Sequence, residues 1–215
     1  MAVALALAVV GEAGTARSQN ADAEALFAEA EALEEAGKLG EACDAFEASN
    51  RIEPRAGTMI RLGVCREAQG RLASAWSAYK DALTRVKDEK KRAFAEQRIA
   101  AIQPRLSYLI VSVPDESRVD GLTIQRNGVA LDPGLWNRAT PVDGGAYVIE
   151  GRAPGHEAWR TTIEIDQASE RAAVEVPRFK VLRVLVSPSP RASREDAGAR
   201  RSRTGTRRVT AADLG

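Results

Sequence analysis

Histidine occurs once in this 215-residue chain, at position 156, and cysteine only twice, at 43 and 65. Two thiols and one imidazole cannot supply a clustered ligand set, so no metal site and no cofactor are expected. The G-x-S-x-G elbow, the phosphate-binding loop, the dinucleotide fingerprint and the H-E-x-x-H pair are all missing. Paired carboxylates such as Glu34-Glu35 and Asp88-Glu89 fall on solvated helix faces, and His156 sits in a Pro-Gly turn as a rim residue. The chain therefore reads as a non-enzyme. No span long enough to cross a bilayer is visible either. Residues 1–10, MAVALALAVV, are apolar but too brief for that.

The formal net charge is only +1, which hides an uneven layout. Residues 180–215 hold nine Lys/Arg against three acids, leaving the body mildly acidic and the tail basic. An apolar content of 44% argues for a globular body of one or two domains. Residues 1–20 have the apolar centre and the small residues of a secretory leader, with Gly14 and Ala16, or Ala16 and Ser18, placed for processing before Gln19. The basic start of such a leader is missing, and a frayed apolar helix start is the alternative.

What the chain does contain is a duplication. Gly37, Leu39, Ala42 and Phe46 return 33 residues later as Gly70, Leu72, Ala75 and Tyr79, and Lys38 returns as Arg71. Each copy reads as a helix, a glycine turn and a second helix. Leu26, Ala30 and Leu33 keep helical spacing before Gly37, and Leu39, Cys43 and Phe46 keep it afterwards. Leu72, Trp76, Tyr79, Leu83 and Val86 form the longest apolar stripe. A third helical stretch, 88–103, places Ala95, Ile99 and Ile102 on one side of a charged helix and reads as a cap, ended by Pro104.

These residues resemble the tetratricopeptide repeat. Leu62-Gly63 matches the paired Leu-Gly of its first helix, Ala42 and Ala75 the small residue where helices touch, Phe46 and Tyr79 the following aromatic, and Pro54 the closing proline. Glu29-Ala30 and Lys87 depart from the pattern. The resemblance implies a concave, partner-binding face made by the first helices. It carries Glu24, Phe27, Glu31, Glu34 and Glu35 from copy one, and Ile60, Val64 and Glu67 from copy two. Such carboxylates around apolar side chains would favour a basic-apolar peptide, and the arginine-rich tail is an intramolecular version of it. The alternative is that Phe27 and Ile60 are buried and the glutamates only solvate the surface. In a repeat stack the helices carrying Cys43 and Cys65 are neighbours. The two either form a disulfide in an oxidising compartment or remain buried thiols.

From Leu106 the period changes from 3.6 to 2. Strand-like runs at 108–113, 122–126, 146–150, 159–165 and 172–176 are punctuated by Asn127-Gly128, Asp132-Pro133-Gly134, Asp143-Gly144-Gly145 and Pro154-Gly155. That is a small all-β sandwich over 105–179. The opening strand LSYLIVSVP, the Gln125-Arg126-Asn127-Gly128 hairpin, Thr140-Pro141, Gly145-Ala146-Tyr147-Val148 and Ala153-Pro154-Gly155-His156 resemble the PEGA family of bacterial envelope domains, although Pro114-Asp115-Glu116-Ser117 replaces its naming tetrad. The membrane segment that often follows such a domain is not visible. Residues 180–186 read as an edge strand or linker, and the rest of 180–215 as a disordered basic tail.

The expected architecture is thus multidomain α plus β. A leader (1–20) precedes a short α-solenoid of two helix-turn-helix repeats with a capping helix (21–104), then the sandwich and the tail. The expected role is a protein-protein adaptor or scaffold at the bacterial cell envelope, periplasmic or secreted. The competing role is a wall-glycan module in which Trp136, Tyr147 and Trp159 stack on sugars, unless those rings form the sandwich core. A nucleic-acid or membrane role for the tail is a third reading, and export disfavours nucleic acid.

Overall fold

The computed structural model describes residues 12–182 apart from 168, with side chains from residue 19 onward. Residues 1–11 of the expected leader (1–20) and the tail beyond Leu182 lie outside the described residues. Five helices come first: α1 (Glu12–Glu35), α2 (Leu39–Ile52), α3 (Ala56–Ala68), α4 (Leu72–Leu83) and α5 (Glu89–Ile102). The helical backbone of α1 begins at Glu12, inside the stretch read as a leader.

The duplication is carried in the backbone. Gly37 and Gly70 adopt φ of +72° and +74°, the left-handed conformation a glycine takes without a Cβ clash. Each ends a first helix in the same way. The Lys38 and Arg71 amides both donate five residues back, to Leu33 and Arg66 at 2.9 Å, while the glycine amides donate three residues back, to Glu34 and Glu67. This doubly bonded stop satisfies the last carbonyls of α1 and α3 and turns the chain into α2 and α4.

Phe46 and Tyr79 are both fully buried, and both meet a neighbour from the following first helix. The Arg61 guanidinium lies 5.4 Å from the Phe46 ring centroid, and Phe94 meets Tyr79 edge-on at 6.3 Å. Arg61 and Phe94 are themselves 33 apart, as are Ala56 and Glu89, where α3 and α5 begin. The helix expected only to cap the stack thus occupies the first-helix position of a third copy. Its Ala95 and Ile102 are buried against α4 with Tyr79 and Leu72, and its N-terminus is capped by the Asp88 carboxylate, which accepts from the Lys91 amide at 2.8 Å. Among the described residues no second α-helix follows. Leu106 and Tyr108, entering the first strand, close that core instead.

Cys43 and Cys65 form a disulfide between α2 and α3, with Cα atoms 5.5 Å apart. Both are completely buried within the core of the first repeat, beside Ala30, Ala42 and Phe46.

Seven strands follow: β1 (Ser107–Ser112), β2 (Thr123–Arg126), β3 (Val129–Ala130), β4 (Ala139–Val142), β5 (Gly145–Arg152), β6 (Trp159–Ile165) and β7 (Arg171–Glu175). One sheet runs β4-β1-β7 and the other β3-β2-β5-β6. Leu109, Val111, Val142 and Val174 of the first pack on Ile124, Ile149 and Ile165 of the second, which makes the sandwich. The pairing of β1 with β7 is parallel, a direction that residue alternation cannot reveal. Asn127 and Gly128, with φ of 50° and 78°, form the tight β2–β3 turn. After β7 the chain returns to the loop before β6, where the Leu182 amide donates to the Gly155 carbonyl at 2.8 Å.

The helical and β parts meet at Asp143, between β4 and β5. Its carboxylate accepts from the Ser74 amide at 2.9 Å, from the Ser74 hydroxyl at 2.5 Å and from Arg71 Nε at 3.1 Å.

Candidate functional site

Because α1, α3 and α5 are successive first helices, the stack turns their equivalent faces toward one side. On α3, Ile60, Val64 and Glu67 share that face at helical spacing. A cleft of about 530 Å³ opens between α1 and α3, floored by half-buried Phe27 and Ile60 and walled by Glu24, Arg55, Arg61 and Lys91. Farther along α3 a shallower cleft of about 390 Å³ is lined by Val64, Glu67, Ala68, Phe94 and Arg98. Of the eight residues expected to form the binding face, five line one of these clefts.

Glu31 and Glu34 flank the first cleft, held by Arg61 at 3.7 and 2.6 Å, and Glu35 is solvent-exposed. Several of the carboxylates of this face are held by arginines. Glu24 is bound by Arg55, which also reaches Glu53 at 2.6 Å, and Arg98 Nε donates to Glu67 at 3.0 Å. The hydrogen bonds that Arg55 donates to Glu53 and Glu24 raise its pKa, and those that Arg98 donates to Glu67 raise its own, so both arginines stay fixed as cations. Tyr79 donates to Glu67 at 3.2 Å, and its hydroxyl pKa is pushed up by burial first and by the Glu67 charge second. Lys91 differs. Its ammonium lies over Gly57, and it makes no ion pair among the described residues.

Arg55, Arg61, Lys91, Phe94 and Arg98 were not foreseen as part of this face. The signal was present in the 33-residue shift that relates Arg61 to Phe94, which extends the repeat into α5.

The aromatic trio of the β part lies elsewhere. Trp136, Tyr147 and Trp159 are half-buried and pack against the sandwich core, with Tyr147 and Trp159 on strand positions facing inward beside Ile149 and Gly151. Tyr147 donates to the Asp143 carbonyl at 2.8 Å, and burial, then the Asp143 charge, raise its pKa. Arg118 lies 6.0 Å over the Trp136 ring. His156 has Nδ1 2.8 Å from the Pro154 carbonyl and packs edge-on to Phe179. Among the described residues no group of three His, Cys, Asp or Glu side chains is arranged to hold a metal ion, and no helix is long and apolar enough to cross a membrane.

No protein-family model matches the chain, and no curated protein matches it.

Proposed function

We propose that this chain is a non-enzymatic adaptor or scaffold of the bacterial cell envelope, periplasmic or secreted, which holds a segment of a protein partner against the face made by α1, α3 and α5. The tetratricopeptide-like duplication and the PEGA-like order of the β strands support this reading, and the buried Cys43–Cys65 disulfide suits an oxidising compartment. The observation that carries it is the cleft floored by Phe27 and Ile60, an apolar floor with polar walls on the side where repeated first helices converge. Since Glu24, Glu34 and Glu67 are already bonded to arginines, the apolar anchors supply the affinity and the rim charges only tune it.

The test is a peptide-display selection on the full chain, followed by fluorescence anisotropy with the enriched peptides. Ile60→Glu, checked for an unchanged circular-dichroism spectrum, is expected to weaken binding at least about tenfold, as loss of a buried anchor would. Enriched peptides that bind this variant as well as the original protein would overturn the proposal.

A further inference from the structure

Of the four strands at sheet edges, three are blunted or short. β3 has two residues, β4 carries Pro141 in its middle, and β7 has five, with its Arg171 guanidinium held 5.0 Å over the Tyr108 ring. β6 is different. It pairs with β5 without a bulge over seven consecutive positions, and among the described residues no other backbone group bonds to it. Its sequence, WRTTIEI, is aromatic and β-branched apart from two charges, with neither proline nor glycine. An edge of this length and composition offers an open row of amide and carbonyl groups to another strand.

The charges say which strand fits. When β6 is laid antiparallel on a second copy of itself about a two-fold axis at Thr162, Arg160 of each copy falls opposite Glu164 of the other. Thr161 meets Ile163, and Trp159 meets Ile165. Glu164 makes no ion pair among the described residues, and Arg160, 66% exposed, has only Glu150 at 3.4 Å. The inward-facing row has a matching need. Trp159 and Ile163 belong to the core-facing side of β6 yet remain half-buried, and no strand among the described residues pairs beyond the edge to cover them. A second β6 would cover both and would supply two charge pairs on the outer face.

We infer that β6 is the seam of a two-fold homodimer, in which the two four-stranded sheets join into one. This inference is independent of what the helical clefts bind.

Sedimentation velocity of the full chain over a concentration series tests it. The original protein is expected to show a concentration-dependent dimer. Glu164→Arg places two arginines opposite each other at both ends of the seam and should weaken the dimer at least about tenfold. Arg160→Glu should do the same with two glutamates. Glu164→Arg does not disturb the Arg160–Glu150 pair, so its effect separates the seam from protomer folding. The double exchange, R160E with E164R, restores opposite charges and should restore the dimer. A protein that stays monomeric throughout the series, a dimer indifferent to Glu164→Arg, or a double exchange that fails to recover would each overturn the inference.

Discussion

The Asp143 carboxylate accepts a hydrogen bond from the Ser74 backbone amide at 2.9 Å, so the first turn of α4 is capped by a residue of the β part. The local cap position, Arg71, makes no side-chain cap, and Asp143 fills that role from 69 positions away in the chain. Its negative charge also suits the positive end of the helix. Because the Asp143 side chain is only 12% exposed, water screens the arrangement weakly. Asp143→Ala is expected to cost about 1–3 kcal/mol, measured by urea unfolding, with Asp143→Asn recovering part of the loss. An unchanged midpoint would show that the contact contributes nothing to stability.

Removing the disulfide should cost a comparable amount. The bridge joins residues 22 apart, and closing a loop of that size stabilises by about 3 kcal/mol on the chain-entropy account. Cys43→Ser with Cys65→Ser should therefore lower the melting temperature by several degrees, and reductant should lower that of the original protein but leave the double variant unmoved. Intact mass before and after reduction gives the state of the pair directly.

Gly63 carries a steric requirement that its repeat partner Ala30 does not. A Cβ at Gly63 would lie 2.6 Å from the Tyr79 ring, and that ring is fully buried and cannot swing aside. Gly63→Ala should destabilise by about 1–3 kcal/mol through overpacking, even though alanine in a helix gains roughly 1 kcal/mol of propensity. Thermal melts of Gly63→Ala alone and with Tyr79→Leu provide the check, with the smaller side chain expected to recover part of the loss.

Alkaline unfolding should report Tyr79. Its pKa is raised in the fold by burial and by Glu67, against the opposing effect of Arg98, so the unfolded chain gives up this proton first. The stability it contributes is complete below the unfolded tyrosine value of about 10 and is lost as pH rises from there through the folded value. Tyr147, raised by burial and by Asp143 with Arg126 and Arg71 opposing, acts in the same direction. Denaturant midpoints measured above pH 9.5 or so should fall with pH, and Tyr79→Phe should make the fall shallower. A slope identical in the two proteins would rule out this assignment.

Much of the helical architecture could be read from spacing. The paired glycines and the Phe46–Tyr79 equivalence lie within one short window, where a left-handed stop and a buried ring leave local signatures. β6 was legible to its end residues because β-branched alternation is bounded by a Pro-Gly turn and by Asp166. β4 was not read as a strand, since four residues containing a proline look like a loop until β1 supplies the partner. The arginine partners of the rim were hidden for the same kind of reason. Glu24 and Glu34 are visible together on α1, whereas Arg55 and Arg61 meet them only when α3 stacks alongside. The capping role of Asp143 was equally hidden, because it depends on a contact between residues far apart in sequence.

Among the described residues Leu106 and Tyr108 close the core of α4 and α5 where a sixth helix would stand, so the proposed partner-binding face draws on α1, α3 and α5 alone. Under the proposed function, selectivity would rest on which partner side chains enter the hollow above Phe27 and Ile60.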